Sequence, residues 1–321
     1  MSVTIKSKSD IQKLREAGRI AANALVHAGK VIHPGMTTKQ LDKSIHDFIV
    51  GCGAVPTFLG YGGFPASACI SINDEIIHGI PSHKRVIREG DIVSVDVGAT
   101  FNGFVGDTAY TFAVGDISEE AADLLRVTEA SLYAAIDAAK VGARLGDVSH
   151  TVEEYCGSRG YGIVREYCGH GIGREMHEDP EVPNYGKPGH GMRLMPGMTF
   201  CIEPMINGKG DAVRVLGDGW TVVTRSGSLA AHFEHEIAVT QDGPVILTRP
   251  ERRFPNGTDK GSGGPCTRRT GYGEFFRGAV GGRRICPHRR RQTAEARFSE
   301  TKKSPSSPAD GSVRGTGRCH G

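Results

Sequence analysis

Apolar residues recur at every third or fourth position in four segments of the chain, and this spacing predicts four amphipathic helices. The first helix opens with a capping box at Ser9-Asp10-Ile11-Gln12. The second begins near Thr37-Thr38, the third runs from about Glu119 to Ala139, and the fourth runs from about Gly146 to Ser158. Short apolar segments of strand character, such as residues around 70–77, lie between the helix pairs. The pattern therefore predicts an α/β chain.

A different pattern, strict alternation, covers residues 90–112, GDIVSVDVGATFNGFVGDTAYTF. Asn102-Gly103 divides it, and Asn-Gly between alternating apolar runs is a strong signal for a two-residue hairpin turn. If these two residues form the turn, Asp96 faces Ala109 and Asp107 faces Gly98. The two aspartates then lie diagonally on one face of the hairpin, roughly 7–8 Å apart at the backbone.

Asp96 and Asp107 stand where the strand pattern calls for apolar residues. A buried carboxylate without a partner costs several kcal/mol or more, so it should be paired, hydrogen-bonded or bound to a metal ion. Taken singly, each aspartate is most simply a paired carboxylate at a strand end. Two like charges on one face repel each other, and a divalent cation between them would relieve that repulsion.

The second half of the chain repeats the order of the first. At an offset of 107 residues, Asp96 corresponds to Glu203, and Asp107 corresponds to Glu234 at an offset that a loop around Trp220 lengthens to 127. Other matched pairs at the offset of 107 are Gly35 with Gly142, Leu41 with Val148, Ile45 with Val152, Phe48 with Tyr155 and Gly90 with Gly197. An internal duplication with halves of about 1–115 and 116–250 would place one acid pair from each half at a shared site.

Three histidines add imidazole donors to these four acids. His170 and His177 lie in CGHGIGREMHEDP, and His78 lies in INDEIIHGIP. Four carboxylates alone would also suit calcium or magnesium, whereas one imidazole among oxygen ligands suits manganese, iron(II), cobalt or zinc better. Two such ions held about 3.5–4 Å apart by bridging carboxylates can activate water for hydrolysis.

The composition changes after residue 250. Residues 1–250 contain 23 basic and 30 acidic side chains, a net charge of −7, whereas residues 251–321 contain 16 and 6, a net charge of +10. The Gly-, Arg- and Ser-rich tail lacks apolar periodicity, so we expect it to be disordered. Composition leaves two interpretations of the tail open: a genuine basic extension, or translation past the normal stop or out of frame. An acidic body does not favour nucleic-acid binding, for which RRICPHRRR in the tail is the best candidate segment.

The cysteine pattern and the hydropathy indicate a protein of a reducing compartment. Five cysteines fall in residues 1–250 without any C-x-x-C pair, and the N-terminus does not have the features of a signal peptide. No apolar run approaches the ~18 residues of a membrane span. We therefore expect a cytoplasmic protein.

Five segments together resemble the signature blocks of type I methionine aminopeptidases. In chain order they are SINDEIIHGIP, SVDVGATFNGFVGDTA, GHGIGREMHEDPEVPNY, TFCIEPM and FEHEIAVT. The resemblance covers nearly all of residues 1–250. It implies the pita-bread fold, with two pseudo-twofold-related halves around a dinuclear metal site. It also implies removal of the initiator methionine from nascent chains whose second residue is small.

The resemblance further implies a ligand set for two divalent ions, of cobalt, manganese, iron(II), zinc or nickel. The ligands would be Asp96, Asp107, His170, Glu203 and Glu234, with Asp107 and Glu234 bridging the ions.

Catalytic and substrate-binding roles follow from the same resemblance. Glu203 would also be the proton shuttle for the attacking water, His177 would stabilise the oxyanion, and His78 would contact the scissile amide nitrogen. The positions that correspond to the methionine side-chain pocket are Phe58, Tyr61, Phe64, Cys69, Met176 and Trp220. Without the resemblance, these apolar residues would be interpreted as ordinary core.

Related enzymes and other classes of protein fit the sequence less well. Prolidases and proline aminopeptidases usually carry a whole domain before the catalytic one, whereas here the first helix starts near residue 10. Type II methionine aminopeptidases carry a helical insertion, but only 26 residues separate His177 from Glu203. A metal-free binding protein on the same fold would be expected to lose ligands, and this chain keeps all five.

We expect a monomer that acts on nascent N-termini, with possible ribosome contact through the basic tail.

Overall fold

A computed structural model of the protein describes residues 3–250. The tail, residues 251–321, and the disorder expected of it lie outside the described residues. The described α-helices are α1 (Lys8–Val31), α2 (Thr38–Gly51), α3 (Glu119–Ala138) and α4 (Leu145–Gly157). The described strands are β1 (Val55–Pro56), β2 (Ala68–Ile72), β3 (Glu75–Ile77), β4 (Ile92–Phe101), β5 (Phe104–Ala113), β6 (Gly162–Ile163), β7 (Gly169–Gly171), β8 (Glu178–Val182), β9 (Thr199–Ile202), β10 (Met205–Asn207), β11 (Val213–Val215), β12 (Val222–Thr224), β13 (Ala230–His232), β14 (His235–Thr240) and β15 (Gly243–Ile246). None of the described helices is long and apolar enough to cross a bilayer.

Side-chain caps fix where the first two helices begin. Helix α2 begins as the sequence predicts. The Thr37 hydroxyl accepts from the Gln40 N–H, and the side-chain carbonyl of Gln40 accepts from the Thr37 N–H. Helix α1 begins earlier than predicted, because Ser7 rather than Ser9 is its N-cap. The Ser7 hydroxyl accepts from the Asp10 N–H at 3.1 Å, and the Asp10 carboxylate accepts from the Ser7 N–H at 3.1 Å. A carboxylate at the third helical position therefore fills the role that the sequence analysis gave to Gln12.

The predicted hairpin forms with the predicted register. Asn102 and Gly103 adopt positive φ values of 51° and 75° and form the turn between β4 and β5. Asp96 pairs with Ala109, and Gly98 pairs with Asp107. Both aspartates therefore lie on the same face of the hairpin, diagonal to each other, as expected.

Each half packs two helices on a sheet. Helices α1 and α2 cover the sheet in which β4 pairs with β1, β2 and β5. Helices α3 and α4 pack over the second-half strands, including the sheet of order β15-β14-β9-β7-β8, through a core that contains Leu124, Val152 and Phe200.

Strand β5 joins the two halves through hydrogen bonds to the segment between β13 and β14. The Glu234 N–H donates to the Ala109 carbonyl at 3.0 Å, and the Thr108 hydroxyl donates to the Glu234 carbonyl at 2.8 Å. Two residues after Ala109 on β5, the Thr111 hydroxyl donates to the His232 carbonyl at 2.7 Å. These bonds set Glu234 beside the hairpin that carries Asp96 and Asp107.

Helix α1 lies so close to β5 that a glycine is required at their contact. A Cβ added to Gly106 would fall 2.3 Å from the backbone nitrogen of Gly18 and 2.4 Å from the carbonyl carbon of Ala17. We expect Gly106→Ala to lower the free energy of unfolding by about 1–3 kcal/mol, because the backbones must separate to admit the methyl group. Urea denaturation measures this change.

Gly51→Ala is the matched control for that measurement. Gly51 ends α2, is exposed and has no atom within 4 Å of an added Cβ. The control should be neutral or slightly stabilising. Equal unfolding midpoints for Gly106→Ala and the wild type would show that α1 is not held against β5 as described.

Candidate metal centre and active site

A cavity of about 230 Å³ lies between the two halves. Every residue that the sequence analysis assigned to the site lines it, polar groups and apolar groups alike. They are Phe58, Tyr61, Phe64, Cys69, His78, Asp96, Asp107, His170, Met176, His177, Glu203, Trp220 and Glu234. The structure thus brings all of them together around one cavity.

Four carboxylates converge at the polar end of this cavity. Asp96 and Asp107 project from the β4–β5 hairpin, Glu203 directly follows β9, and Glu234 directly precedes β14. One oxygen on each of Asp96, Asp107 and Glu234 is buried without a hydrogen-bond partner. Such oxygens are expected to have a partner in native structures, so these three need one from outside the protein.

His170 presents a free ring nitrogen to these acids. Its Nδ1 lies 2.9 Å from the Gly171 carbonyl oxygen, which can only accept a hydrogen bond, so Nδ1 carries the hydrogen. The other nitrogen, Nε2, lies 3.5 Å from an Asp107 oxygen and 3.8 Å from a Glu203 oxygen. Nε2 is therefore the atom available to a cation.

The crowding of acids shows in the pKa values of the group. Burial, together with the charges of Asp107 and Glu203, raises the pKa of Asp96 well above its ordinary value. Burial and the same two neighbours raise the pKa of Glu234 well above its ordinary value. Burial alone lowers the pKa of His170, but the adjoining carboxylates of Asp107 and Glu203 more than offset it and raise the pKa to about 9. The pocket thus favours an added positive charge.

The donor set fits a divalent cation. Buried carboxylate oxygens without partners and one imidazole nitrogen aimed at them are the ligands that manganese, iron(II), cobalt and zinc accept. Asp96, Asp107, His170, Glu203 and Glu234 are the residues present for this purpose.

Two further histidines face the cavity in neutral form. Burial and the neighbouring His232 lower the pKa of His78 to about 4, and burial and the neighbouring His170 lower the pKa of His177 to about 4. His78 has a φ of 58°, a conformation that non-glycine residues rarely adopt and that often marks a functional position. The Tyr61 hydroxyl lies 2.7 Å from Nδ1 of His177.

The other end of the cavity is apolar and aromatic. Phe58, Phe64 and Met176 are buried in one cluster. The Trp220 ring meets Phe64 edge-on, with 5.2 Å between ring centroids. Flexible, polarizable groups such as a thioether pack well against surfaces of this kind.

Sequence reasoning missed several residues of the site. Tyr167 and Cys168 line the cavity, His232 lies 3.6 Å from a Glu203 oxygen, and Cys201 and Glu236 are buried beside the acids. Strand alternation could have found the last two, because Cys201 precedes Glu203 by two positions and Glu236 follows Glu234 by two.

Comparisons with known proteins agree with this geometry. Residues 12–241 match Metallopeptidase family M24. The methionine aminopeptidase of Clostridium acetobutylicum is 54% identical over 246 residues, which are 77% of this chain and 98% of that protein. The crystal structure of methionine aminopeptidase from Thermotoga maritima superimposes with a TM-score of 0.76 at 47% identity, over 77% of this chain and 100% of that one.

A more distant structure shares the fold. The prolidase from Pyrococcus horikoshii superimposes with a TM-score of 0.60 at 24% identity, over 78% of this chain and 64% of that one. The predicted pita-bread fold is confirmed by these neighbours.

Because the buried carboxylates repel each other, we expect metal binding to reverse the order of stability of the wild type and Glu234→Gln. Without metal, Glu234→Gln should be at least as stable as the wild type, because it removes one buried charge from a repelling group. An excess of Co(II) should stabilise the wild type, by about 2.7 kcal/mol at a hundredfold excess over the dissociation constant, and the variant much less. Thermal unfolding with and without Co(II) checks this.

Glu120→Gln, an exposed position in the first turn of α3, is the control and should keep the full metal-dependent shift. An equal Co(II)-dependent shift for wild type and Glu234→Gln would remove Glu234 from the ligand set.

Proposed function

This chain belongs to metallopeptidase family M24, and from that premise we propose how its residues remove methionine from the N-termini of polypeptides. The chain is a metal-dependent aminopeptidase, a hydrolase that binds divalent cations and acts on nascent polypeptide N-termini. The observation that supports the residue assignment best is the cavity itself. One end of the cavity holds carboxylates with unpartnered oxygens, and the other end is apolar and lined by aromatic rings.

Asp96, Asp107, His170, Glu203 and Glu234 are the residues that would hold two divalent ions. When bound, divalent ions polarise the substrate carbonyl and lower the pKa of water. The place of Glu234 in this set is supported by its backbone bonds to β5, which hold it beside Asp107 across the junction of the halves.

Glu203 is proposed as the group that moves the proton. Glu203 directly follows β9, and its carboxylate oxygens lie 3.8 Å from Nε2 of His170 and 3.6 Å from Nε2 of His232. It would accept a proton from the attacking water and deliver it to the amide nitrogen as the first peptide bond breaks.

The two neutral histidines are proposed as hydrogen-bond donors to the substrate. If the Tyr61 hydroxyl donates to Nδ1 of His177, Nε2 of that ring carries the hydrogen and can donate to the oxyanion that forms on the substrate carbonyl. His78, whose ring meets Trp220 edge-on at 6.3 Å, would contact the scissile nitrogen. A neutral imidazole suits both tasks, since a charged one would compete with the cations.

The apolar end is proposed as the methionine side-chain pocket, formed by Phe58, Tyr61, Phe64, Cys69, Met176 and Trp220. The acidic end would attract the α-ammonium group, so a free N-terminus and an unbranched apolar first side chain are recognised together. We propose a preference for a small second residue, which is the preference of the type I methionine aminopeptidases that the sequence resembles.

We also propose that residues 1–250 are the complete catalytic domain and act as a monomer in the cytoplasm. All residues assigned to the site come from this range. The +10 charge of residues 251–321 would allow contacts with ribosomal RNA phosphates, which weaken steeply as salt rises. The preferred metal, among cobalt, manganese, iron(II), zinc and nickel, is part of the same proposal.

Glu203→Gln tests the proton shuttle. Glutamine keeps the shape but cannot carry a proton, so we expect turnover to fall by about 10²–10⁴-fold or more. Metal content after equilibrium dialysis, measured alongside, separates loss of a ligand from loss of the base. Near-normal turnover by a fully metal-loaded variant would exclude Glu203 from the mechanism.

Peptide selectivity tests the proposed substrate. Met-Gly peptides should be cleaved, whereas their N-acetylated forms should not, because acetylation removes the α-ammonium charge that the acids attract. Peptides of the form Xaa-Pro without methionine should be poor substrates. Faster release from Xaa-Pro would place the chain among proline-specific enzymes.

Truncation tests whether the tail is dispensable for turnover. A chain ending at Arg253, assayed on the same Met-Gly peptides, should show unchanged turnover.

A further inference from the structure

Cys201 lies among the atoms proposed to bind metal. Within the described part of the chain, Asp107, His170, Cys201 and Glu234 each offer a donor atom, and these atoms all lie within 4.8 Å of one another. All four residues are buried. Three of them are already in the proposed ligand set, and the fourth is a cysteine that neither the sequence analysis nor the mechanism uses.

The strand geometry holds Cys201 in this place. Cys201 lies on β9, fully buried, two positions before Glu203 and therefore on the same strand face. Its carbonyl oxygen approaches Gly169 so closely that an added Cβ there would lie 2.3 Å away. Strands β7 and β9 therefore run in close contact, which sets the cysteine beside His170.

A second observation, at Glu236, indicates that a cation belongs on this side. Glu236 pairs with Cys201 in the β14–β9 register and shares a strand face with Glu234. It is completely buried, and neither carboxylate oxygen has a hydrogen-bond partner of good geometry. Asp107 and Glu234 each contribute one more unpartnered oxygen. The Cys201 thiol donates to Glu234 and the Asp107 N–H donates to Glu236, and the buried carboxylate oxygens that remain without a donor are the ones that a positive ion would satisfy.

We propose that Cys201 supplies a sulfur donor to the ion held by Asp107, His170 and Glu234. One face of the centre is then a mixed sulfur, nitrogen and oxygen site rather than an oxygen and nitrogen site. On binding, a sulfur–metal bond replaces the S–H bond and one proton passes to the solvent. Thiolate sulfur favours soft and borderline ions, so the centre selects zinc and cobalt over manganese. This inference rests on the metal-dependent function proposed above.

Co(II) absorption spectroscopy of the full-length chain tests the proposal. Sulfur bound to Co(II) gives a near-ultraviolet charge-transfer band, whereas the visible d–d bands report Co(II) bound by any ligands. We expect both in the wild type, and loss of the charge-transfer band alone in Cys201→Ser. Cys201→Thr serves as a second variant if the serine protein does not fold.

Cys69→Ser is the matched control, because Cys69 is also buried and lies opposite a metal-site acid, Asp96, but outside the four-residue donor cluster. It should keep the charge-transfer band. Loss of the band in Cys69→Ser, but not in Cys201→Ser, would overturn the assignment.

Metal competition provides a readout of selectivity. Cys201→Ser should weaken Cd(II) binding by at least about tenfold while changing Mn(II) binding much less, since only the softer ion gains from sulfur. Visible d–d bands without a charge-transfer band in the wild type would overturn the sulfur ligand and leave the proposed aminopeptidase mechanism intact. Absence of Co(II) binding altogether, with peptide turnover also absent, would overturn both.

Discussion

Repulsion between carboxylates that are buried together is the constraint on which this structure depends. Four acids share one cavity, and burial raises the pKa of at least Asp96 and Glu234 far above the ordinary range. A fold that brings such groups together without a compensating cation loses stability, and one that holds them for a cation gains it on binding. The surrounding strands, turns and histidines hold the acids close together, in an arrangement that a bound cation would stabilise.

The backbone, rather than the side chains, does most of this positioning. Hairpin register places Asp96 and Asp107, and the hydrogen bonds between β5 and Glu234 bring the third acid across the junction. Because these contacts join the two halves, the site and the packing of the halves depend on each other. A small shift of β5 against β14 would change the distances between donors as well as the contact of α1 at Gly106.

The sequence predicted those parts of the site that depend on local rules. Asn102-Gly103 specifies a turn within two residues, so the hairpin register and the placement of both aspartates could be deduced. The start of α1 could not, because Ser7 and Ser9 each have a suitable partner three residues on, and only the folded chain selects Ser7. The Tyr61–His177 contact joins residues 116 apart by loops without a repeating pattern, and no periodicity could have indicated it. Cys201 and Glu236 were deducible from alternation but resembled ordinary strand residues until burial and unpartnered oxygens distinguished them.

The buried cluster at the apolar end of the cavity also limits the shape of a first side chain that could bind there. Phe58, Phe64 and Met176 pack in one buried cluster with Cys201 and Ile172, so the apolar end of the cavity is backed by close-packed side chains. Under the proposed function, a side chain held there would have to fit between this cluster and the carboxylates, so close packing would select for its length and branching. Selectivity for the first residue would then vary with the size of these side chains, independently of the residues proposed to hold metal.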